Sequence, residues 1–171
     1  MIKIIAGEYK GRKLESVSDL YIRPTQAVVR KSMMQILEPL HGLVVLDLFA
    51  GVGTLGIEAL SRGAKQVTFV DNNKLAINVL TKNIDLLCKN KDVSIIHRDV
   101  NNFIDMNIKK FDLIIADPPY AKADFFTLRE MVKPMLNESG IFCMEMKKSK
   151  INDDSVRIKE YGSTQVVFWN S

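Results

Sequence analysis

The chain has 171 residues, of which 47% are hydrophobic and 26% are charged. This length predicts one domain with little room for a second, and the composition excludes long disorder and low-complexity architecture. The apolar runs are too short to cross a membrane and no signal peptide is recognisable, so we expect a cytoplasmic protein. Cys88 and Cys143 are too few for a disulfide framework, and without a Cys/His cluster we predict no metal site.

The net charge of +4 is concentrated at the start of the chain. Residues 1–31 carry seven basic and three acidic side chains, whereas residues 32–171 carry seventeen of each sign. A basic segment next to a neutral domain is typical of nucleic-acid-binding proteins. A solvated, lysine-rich terminus would have the same composition, so charge alone leaves both interpretations open.

Strands and helices alternate along the chain after a short lead-in. Residues 2–6 and 12–14 flank a glycine-containing turn, which predicts a β-hairpin, and Thr25 is a suitable N-cap for a helix that ends before Pro39. Hydrophobic patterning then predicts strands at 43–48, 66–70, 93–96, 111–116, 141–146, 156–160 and 164–169, and helices at 53–62, 74–88 and 125–136. Continuous apolar strands between helices indicate a mostly parallel α/β sheet.

Acidic residues stand at or just after the ends of four predicted strands: Asp47, Asp71, Asp99 and Asp117. A single loop aspartate is often only a helix cap or a turn residue. Ligands of parallel α/β sheets, however, bind outside the carboxyl ends of the strands. The ordered set therefore predicts a binding site at that edge.

A glycine loop follows the first long strand. Gly51 to Gly56 match G-x-G-x-x-G, and Asp71 lies twenty residues beyond Gly51, which is the spacing of a dinucleotide-binding fingerprint with an acid on the ribose. Asp47, however, would sit badly beside an anionic pyrophosphate and well beside a cation. The loop therefore favours S-adenosylmethionine over NAD, with the cofactor's carboxylate at the start of the next helix.

The segment Asp117-Pro118-Pro119-Tyr120 is the most specific motif. Two prolines stiffen it and remove two backbone donors, so its carbonyls and the Asp117 carboxylate can accept hydrogen bonds from a planar amino group. Tyr120 offers a ring on which a base can stack. The motif predicts a site for the exocyclic amine of a nucleobase.

DPPY resembles the signature of amino-group methyltransferases that act on nucleic-acid bases. From about residue 2 to about residue 169 the chain resembles the RsmD family, which methylates the exocyclic amino group of a guanine in small-subunit ribosomal RNA. The resemblance includes Tyr9-Lys10-Gly11-Arg12, Arg23-Pro24-Thr25, Leu46 to Gly51 and Ser61 to Ala64, although Lys31 replaces the family's usual Glu.

The resemblance implies a Rossmann-like class I methyltransferase fold, with a mostly parallel seven-stranded sheet, helices on both faces and a small N-terminal β-hairpin. It implies an RNA-contacting extension at 1–24, a methyltransferase domain at 25–171 and a monomer that acts on ribosomal RNA or an assembly intermediate of the small subunit. The implied cofactor-binding residues are Asp47, Phe49, Ala50, Gly51, Gly53, Thr54, Asp71, Asn72, Asp99 and Val100. Those implied for catalysis are Asp117, Pro118, Pro119 and Tyr120, and those for RNA are Lys10, Arg12, Arg23, Thr25 and Arg30.

Two alternatives stay open. One is an amino methyltransferase of DNA adenine or cytosine, for which this length leaves no obvious target-recognition region. The other is a non-catalytic RNA-binding assembly factor with the same fold, against which the intact Gly51, Gly53 and DPPY argue.

Overall fold

The computed structural model describes residues 2–17, 27–119 and 123–171. The N-terminal hairpin is smaller than predicted: β1 (Ile2–Lys3) pairs antiparallel with β2 (Lys13–Leu14). The other strands are β3 (Val44–Leu48), β4 (Gln66–Asp71), β5 (Asp92–His97), β6 (Phe111–Ala116), β7 (Leu136–Lys147), β8 (Val156–Tyr161) and β9 (Thr164–Asn170). The helices are α1 (Ala27–Leu37), α2 (Thr54–Ser61), α3 (Lys74–Leu87), α4 (Val100–Met106) and α5 (Phe125–Val132).

The main sheet has seven strands in the order β5-β4-β3-β6-β7-β9-β8. The strands β3 to β7 run parallel, and β9 pairs antiparallel with both β7 and β8. The chain first builds outward from β3 through β4 to β5, then crosses back to place β6 on the other side of β3. The predicted Rossmann-like α/β sheet is therefore confirmed, and its topological switch point lies between β3 and β6.

The two faces of the sheet bury separate hydrophobic clusters. One cluster joins the hairpin and α1, α2 and α3 to the sheet through residues such as Met33, Leu60 and Leu80. The other joins α4 and α5 through residues such as Phe103 and Phe125. Helices thus cover both faces, as predicted. Within the three described ranges, no helix is long and apolar enough to cross a membrane.

Besides the hairpin, three elements differ most from the sequence-based expectation. The hydrophobic pattern does not predict α4, because its seven residues include only a short apolar face and two adjacent asparagines. The helix α5 ends at Val132 rather than 136, since Pro134 lacks an N–H and the chain tightens into a 3₁₀ turn. The strand β7 begins at Leu136, five residues earlier than expected, and its pairing with β6 shifts register between Phe111 and Leu113.

Candidate active site at the switch point

The switch point brings the glycine loop and the proline motif together. Leu48 of β3 is in register with Ala116 of β6, so the residues that follow both strands emerge at the same edge of the sheet. The N–H of Asp117 lies 3.5 Å from the carbonyl oxygen of Leu48. We call this side of the sheet, where the parallel strands have their carboxyl ends, the catalytic edge, and the side where they begin the opposite edge.

The glycine loop reverses direction through backbone conformations that few side chains tolerate. Phe49, Gly51 and Gly53 have φ of +59°, +55° and +86°. A Cβ atom on Gly53 would lie 2.3 Å from Cδ1 of Leu80, so a larger residue there would have to displace that side chain of α3 as well as adopt a strained φ. Phe49 carries a conformational strain that glycine avoids, and such strain concentrates at functional sites.

Asp47 lies beneath the loop rather than in it. Its side chain is 1% exposed, and its Oδ2 accepts the N–H of Gly56 at 2.8 Å. This bond supplies the cap that Gly53, the N-cap residue of α2, has no side chain to provide. Burial raises the pKa of Asp47 to about 8 against the opposing effect of the Gly56 bond, and the nearby Asp117 and Asp71 raise it further.

Three acids share one face of the sheet at the catalytic edge. Asp47 is in register with Phe69 of β4 and Ile115 of β6. Asp71 and Asp117 each lie two residues beyond those partners and continue the alternation on the same face, which α2 covers. The crowding of like charges makes this edge a favourable place for a cation.

Asp71, the last residue of β4, binds backbone N–H groups of the glycine loop and of the turn that follows β4. Its Oδ2 accepts the N–H of Gly51 at 2.8 Å, and its Oδ1 accepts the N–H of Asn73 at 2.7 Å. Each carboxylate oxygen has a second lone pair, so Asp71 can still accept hydroxyl donors from a ligand.

The predicted adenine-binding residues follow β4 and β5 along the same edge. Asn72 is exposed, and its carbonyl oxygen lies 3.1 Å from Nε2 of His97. Asp99 is exposed and caps α4, since its Oδ1 accepts the N–H groups of Asn101 and Asn102 at 3.0 and 3.3 Å. Val100 is the buried first residue of α4.

The described part of the proline motif is half-buried Asp117, buried Pro118 and exposed Pro119, whereas Tyr120 lies outside the described residues. Pro118 is one wall of a pocket of about 190 Å³ at the carboxyl end of β7. The remaining walls are Ala123, Met144, Glu145, Met146, Lys147, Lys148 and Ser149. The pocket therefore lies on the side of Asp117 away from the glycine loop.

The three predicted RNA-binding residues that the structure describes, Lys10, Arg12 and Arg30, do not gather at this edge. Lys10 and Arg12 are exposed in the hairpin turn, where the N–H of Glu8 donates to the carbonyl of Ser61 at 2.7 Å. Ser61 ends α2 at the opposite edge of the sheet, beside the start of β3. Lys10 and Arg12 are therefore separated from Asp117 by the length of α2, and Arg23 and Thr25 lie outside the described residues.

Arg30 is 3% exposed and faces the interior. Its guanidinium donates to the carbonyl of Lys3 at 2.7 Å, and its Nε lies 4.0 Å from Glu58. In this conformation Arg30 holds the hairpin and offers no exposed charge to a phosphate group.

Two buried polar residues that the sequence patterns did not single out hold the N-terminal hairpin segment in place. The first is Glu58, which accepts the N–H groups of Ile5 and Ala6 at 2.9 and 3.0 Å and pairs with Arg62 at 3.0 Å. Its polar side chain in the otherwise mostly apolar α2 was the available signal.

Asn83 is the second of these residues. Its Oδ1 accepts the N–H of Glu15 at 2.8 Å, while its Nδ2 donates to the carbonyls of Glu15 and Val52 at 3.1 and 3.0 Å. Val52 belongs to the glycine loop, so one fully buried amide joins the hairpin segment to that loop. The signal was an asparagine between Leu80 and Ile84 on the apolar face of α3.

Among the residues that the structure describes, no group of three or more His, Cys, Asp or Glu side chains has metal-binding geometry. Cys88 and Cys143 are both buried and unpaired as disulfides, and burial raises the pKa of each thiol.

The chain is similar to known proteins over nearly its whole length. Residues 2–170 match the family described as Conserved hypothetical protein 95. The chain is 37% identical over 143 residues to ribosomal RNA small subunit methyltransferase D of Haemophilus influenzae, a match that covers 81% of this chain and 72% of that protein. It is 32% identical over 180 residues to the putative rRNA methyltransferase YlbH of Bacillus subtilis, covering 98% of each. The structure of the putative methyltransferase yhhF from Escherichia coli matches with a TM-score of 0.87 and 25% identity, over 99% of this chain and 97% of that one.

Proposed function

Because the chain belongs to the RsmD family of ribosomal RNA small subunit methyltransferases, we propose that it methylates the exocyclic amino group of a guanine in small-subunit ribosomal RNA with S-adenosylmethionine. One observation carries the proposal. The acid-lined glycine loop after β3 and the Asp117-Pro118-Pro119 segment after β6 emerge side by side at the switch point, so a cofactor and a planar amine can meet there.

The residues around the glycine loop fit S-adenosylmethionine, which supplies a methyl group on a positively charged sulfur. Asp71 and Asp117 lie close enough to Asp47 to help raise its pKa, and this grouping of acids favours a cation and disfavours the pyrophosphate of NAD. Asp47 accepts the N–H of Gly56, and Gly53 offers no side chain to the amides that precede Gly56, so the N–H groups of Thr54 and Leu55 are suited to the cofactor's carboxylate. Phe49, Ala50, Gly51 and Thr54 complete this end of the site.

The ends of β4 and β5 suit a nucleoside. Asp71 would accept the ribose hydroxyls with its remaining lone pairs, and Asn72 would lie against the adenine. Asp99 and the backbone N–H of Val100 would contact the amino group and ring of the adenine. Asp71 is the last residue of β4, and the other three follow β4 or β5, which are in register at Asp71 and His97.

Asp117 and Pro118 would hold the target guanine. A carboxylate and proline-flanked carbonyls accept hydrogen bonds from the amino hydrogens, and no N–H of Pro118 or Pro119 competes for them. Held in this way, the nitrogen lone pair can turn out of the ring plane towards the methyl group. Tyr120 would stack on the base, which has to leave its helix to reach this site.

Catalysis would then depend on positioning and electrostatics rather than on a covalent enzyme intermediate. Positive charge develops on the target nitrogen as the new carbon–nitrogen bond forms and the bond between the methyl carbon and the sulfur breaks, which releases the sulfur as a neutral thioether. The Asp117 carboxylate stabilises that charge, and either it or water accepts the proton that the nitrogen releases.

The test is transfer of labelled methyl groups from S-adenosylmethionine to three substrates: small subunits from unmethylated cells, naked ribosomal RNA and duplex DNA. We expect methylated guanine in a ribosomal sample and none in DNA, with the product nucleoside identified by mass spectrometry. Methylated adenine or cytosine in DNA would overturn the proposed substrate. Cofactor binding without any transfer would favour a non-catalytic assembly factor.

A further inference from the structure

The end of β7 places a run of lysines at the catalytic edge. Ala116 is in register with Met144, so Glu145 stands level with Asp117 and Lys147 lies two residues farther out on the same face. Lys147, Lys148 and Lys150 are all exposed. We call these three residues the β7 lysine edge.

This segment is fixed in place after the strand has ended. The N–H of Lys148 donates to the carbonyl of Ser163 at 2.9 Å, in the turn between β8 and β9. The N–H of Ser149 lies 3.4 Å from Oε1 of Gln165, a fully buried residue of β9. Two backbone contacts to a neighbouring hairpin thus hold the lysines at a set position.

The lysines adjoin the pocket beside Pro118. Lys147 and Lys148 are part of its wall, together with Met144, Met146 and Ala123, which give it an apolar lining. Its volume of about 190 Å³ is below the 300–1,000 Å³ or so of sites for drug-sized ligands, so it suits a single flat ring system. The sugar and phosphates attached to such a ring would remain outside, where the lysines are.

We propose that the β7 lysine edge is a second RNA-binding surface, which binds phosphate groups flanking the nucleotide whose base enters the adjoining pocket. The proposal rests on the proposed function for its RNA substrate. It assigns the phosphate contacts nearest the target to β7, because Lys10 and Arg12 lie at the opposite edge and Arg30 faces the interior. Lys148 forms an ion pair with Glu160, which also lies on the surface, and RNA would compete with that carboxylate for the lysine.

The test compares two double variants with the same change in charge. Lys147→Ala with Lys150→Ala removes two lysines from the catalytic edge, whereas Lys109→Ala with Lys110→Ala removes two exposed lysines directly before β6, at the opposite edge. The measurement is the dissociation constant for naked small-subunit ribosomal RNA over a series of salt concentrations, with S-adenosylmethionine binding as the check on folding.

For the catalytic-edge variant we expect weaker binding, with the salt slope reduced by about 0.7 for each phosphate group that the protein no longer neutralises. We expect the opposite-edge variant to keep the wild-type slope. Glu160→Gln releases Lys148 and should tighten binding about twofold. Equal slopes for the two double variants would overturn the proposal, as would a wild-type protein that does not bind this RNA.

Failure of the proposed function is distinguishable from failure of this inference. Methyl transfer tests the former, whereas the salt slopes are binding measurements that need no turnover. A wild-type protein that methylates guanine while both double variants bind alike would leave the proposed function intact and remove the β7 lysine edge from the interface.

Discussion

A buried acid lies near each end of α2: Glu58 within the helix and Asp47 in β3 beneath its start. One is surrounded by hydrogen-bond donors and a positive charge, the other by further acids. Towards the end of the helix, Glu58 accepts the N–H groups of Ile5 and Ala6 and pairs with the guanidinium of Arg62. Beneath the start of the helix, Asp47 has one described amide partner, Gly56, and two other acids nearby. The pKa of Asp47 rises to about 8 as a result of its burial and these neighbours.

This difference predicts that Glu58 is a structural acid and that Asp47 is a functional one. A buried carboxylate with matched donors and a counter-charge fixes the elements around it, here the N-terminal hairpin. A buried carboxylate among like charges lowers the stability of the protein that carries it, and this arrangement is common where a cationic ligand or a proton is handled. The following substitutions test that separation, from the largest expected effect to the smallest.

Glu58→Ala should lower the free energy of unfolding by about 3–5 kcal/mol, because it leaves two backbone N–H groups without their acceptor and leaves the buried Arg62 guanidinium with only the half-exposed Glu38 as a described partner. Urea unfolding measures this decrease. Glu38→Ala is the matched control: Glu38 pairs with the same arginine but is half exposed, so its removal should cost no more than about 1 kcal/mol. Similar decreases in the two variants would contradict a structural role specific to Glu58.

Asp117→Ala should lower methyl transfer by about 100-fold or more while S-adenosylmethionine still binds, because the carboxylate stabilises charge that develops only during the reaction. Rapid-quench assays and calorimetry measure the two quantities. Asp112→Asn is the control on the same strand, since Asp112 accepts the N–H of Val44 at 2.8 Å and should affect stability more than turnover. Unchanged turnover in Asp117→Ala would exclude this role.

Asp47→Asn should raise stability and weaken cofactor binding. The raised pKa means that the folded protein binds a proton more tightly than the unfolded chain, so wild-type stability falls as pH rises from about 4 to about 8. The variant lacks this titration, while its amide oxygen can still accept the N–H of Gly56. The melting temperatures of the variant and the wild type should differ more as pH rises through this range and should become equal below pH 4. A constant difference at all pH values would show that the pKa of Asp47 is not raised by folding.

Lys10→Ala with Arg12→Ala should have the smallest effect. Both residues are exposed at the hairpin turn, away from Asp117. We expect a higher KM for RNA and a shallower salt dependence of RNA binding, with kcat at saturating RNA unchanged. Steady-state kinetics at several salt concentrations check this, and a fall in kcat would place the turn closer to the reaction than the structure does.

The fold is largely predictable from the sequence because the strands are continuous apolar runs and the loops contain glycine and proline at their turns. The bounds of β6 are those predicted. The short helix α4 has too little periodicity to be detected, and its cap, Asp99, has a structural role that the strand-end pattern does not reveal.

The sequence predicts which segments contribute to the candidate site, but it does not predict how deeply each side chain is buried. Sequence spacing predicts that Asp47 contacts the cofactor, and the family resemblance implies that Arg30 contacts RNA, yet neither contains information about which way a side chain points. The structure buries Asp47 under the loop and turns Arg30 towards Lys3. Charge counting likewise locates the basic excess in the first residues and misses the β7 lysine edge, because nearby acids balance that segment in the total.

Because the side-chain amide of Asn83 joins the N-terminal segment to the glycine loop, that segment cannot be deleted or replaced without affecting the loop. Removing residues 2–17 would take away the backbone of Glu15 that Asn83 binds and the two N–H groups that Glu58 accepts. It would also uncover the apolar surface now packed against Ile4 and Leu14. Residues 2–17 are therefore not a separable module. We expect them to be retained together with the glycine loop that they support.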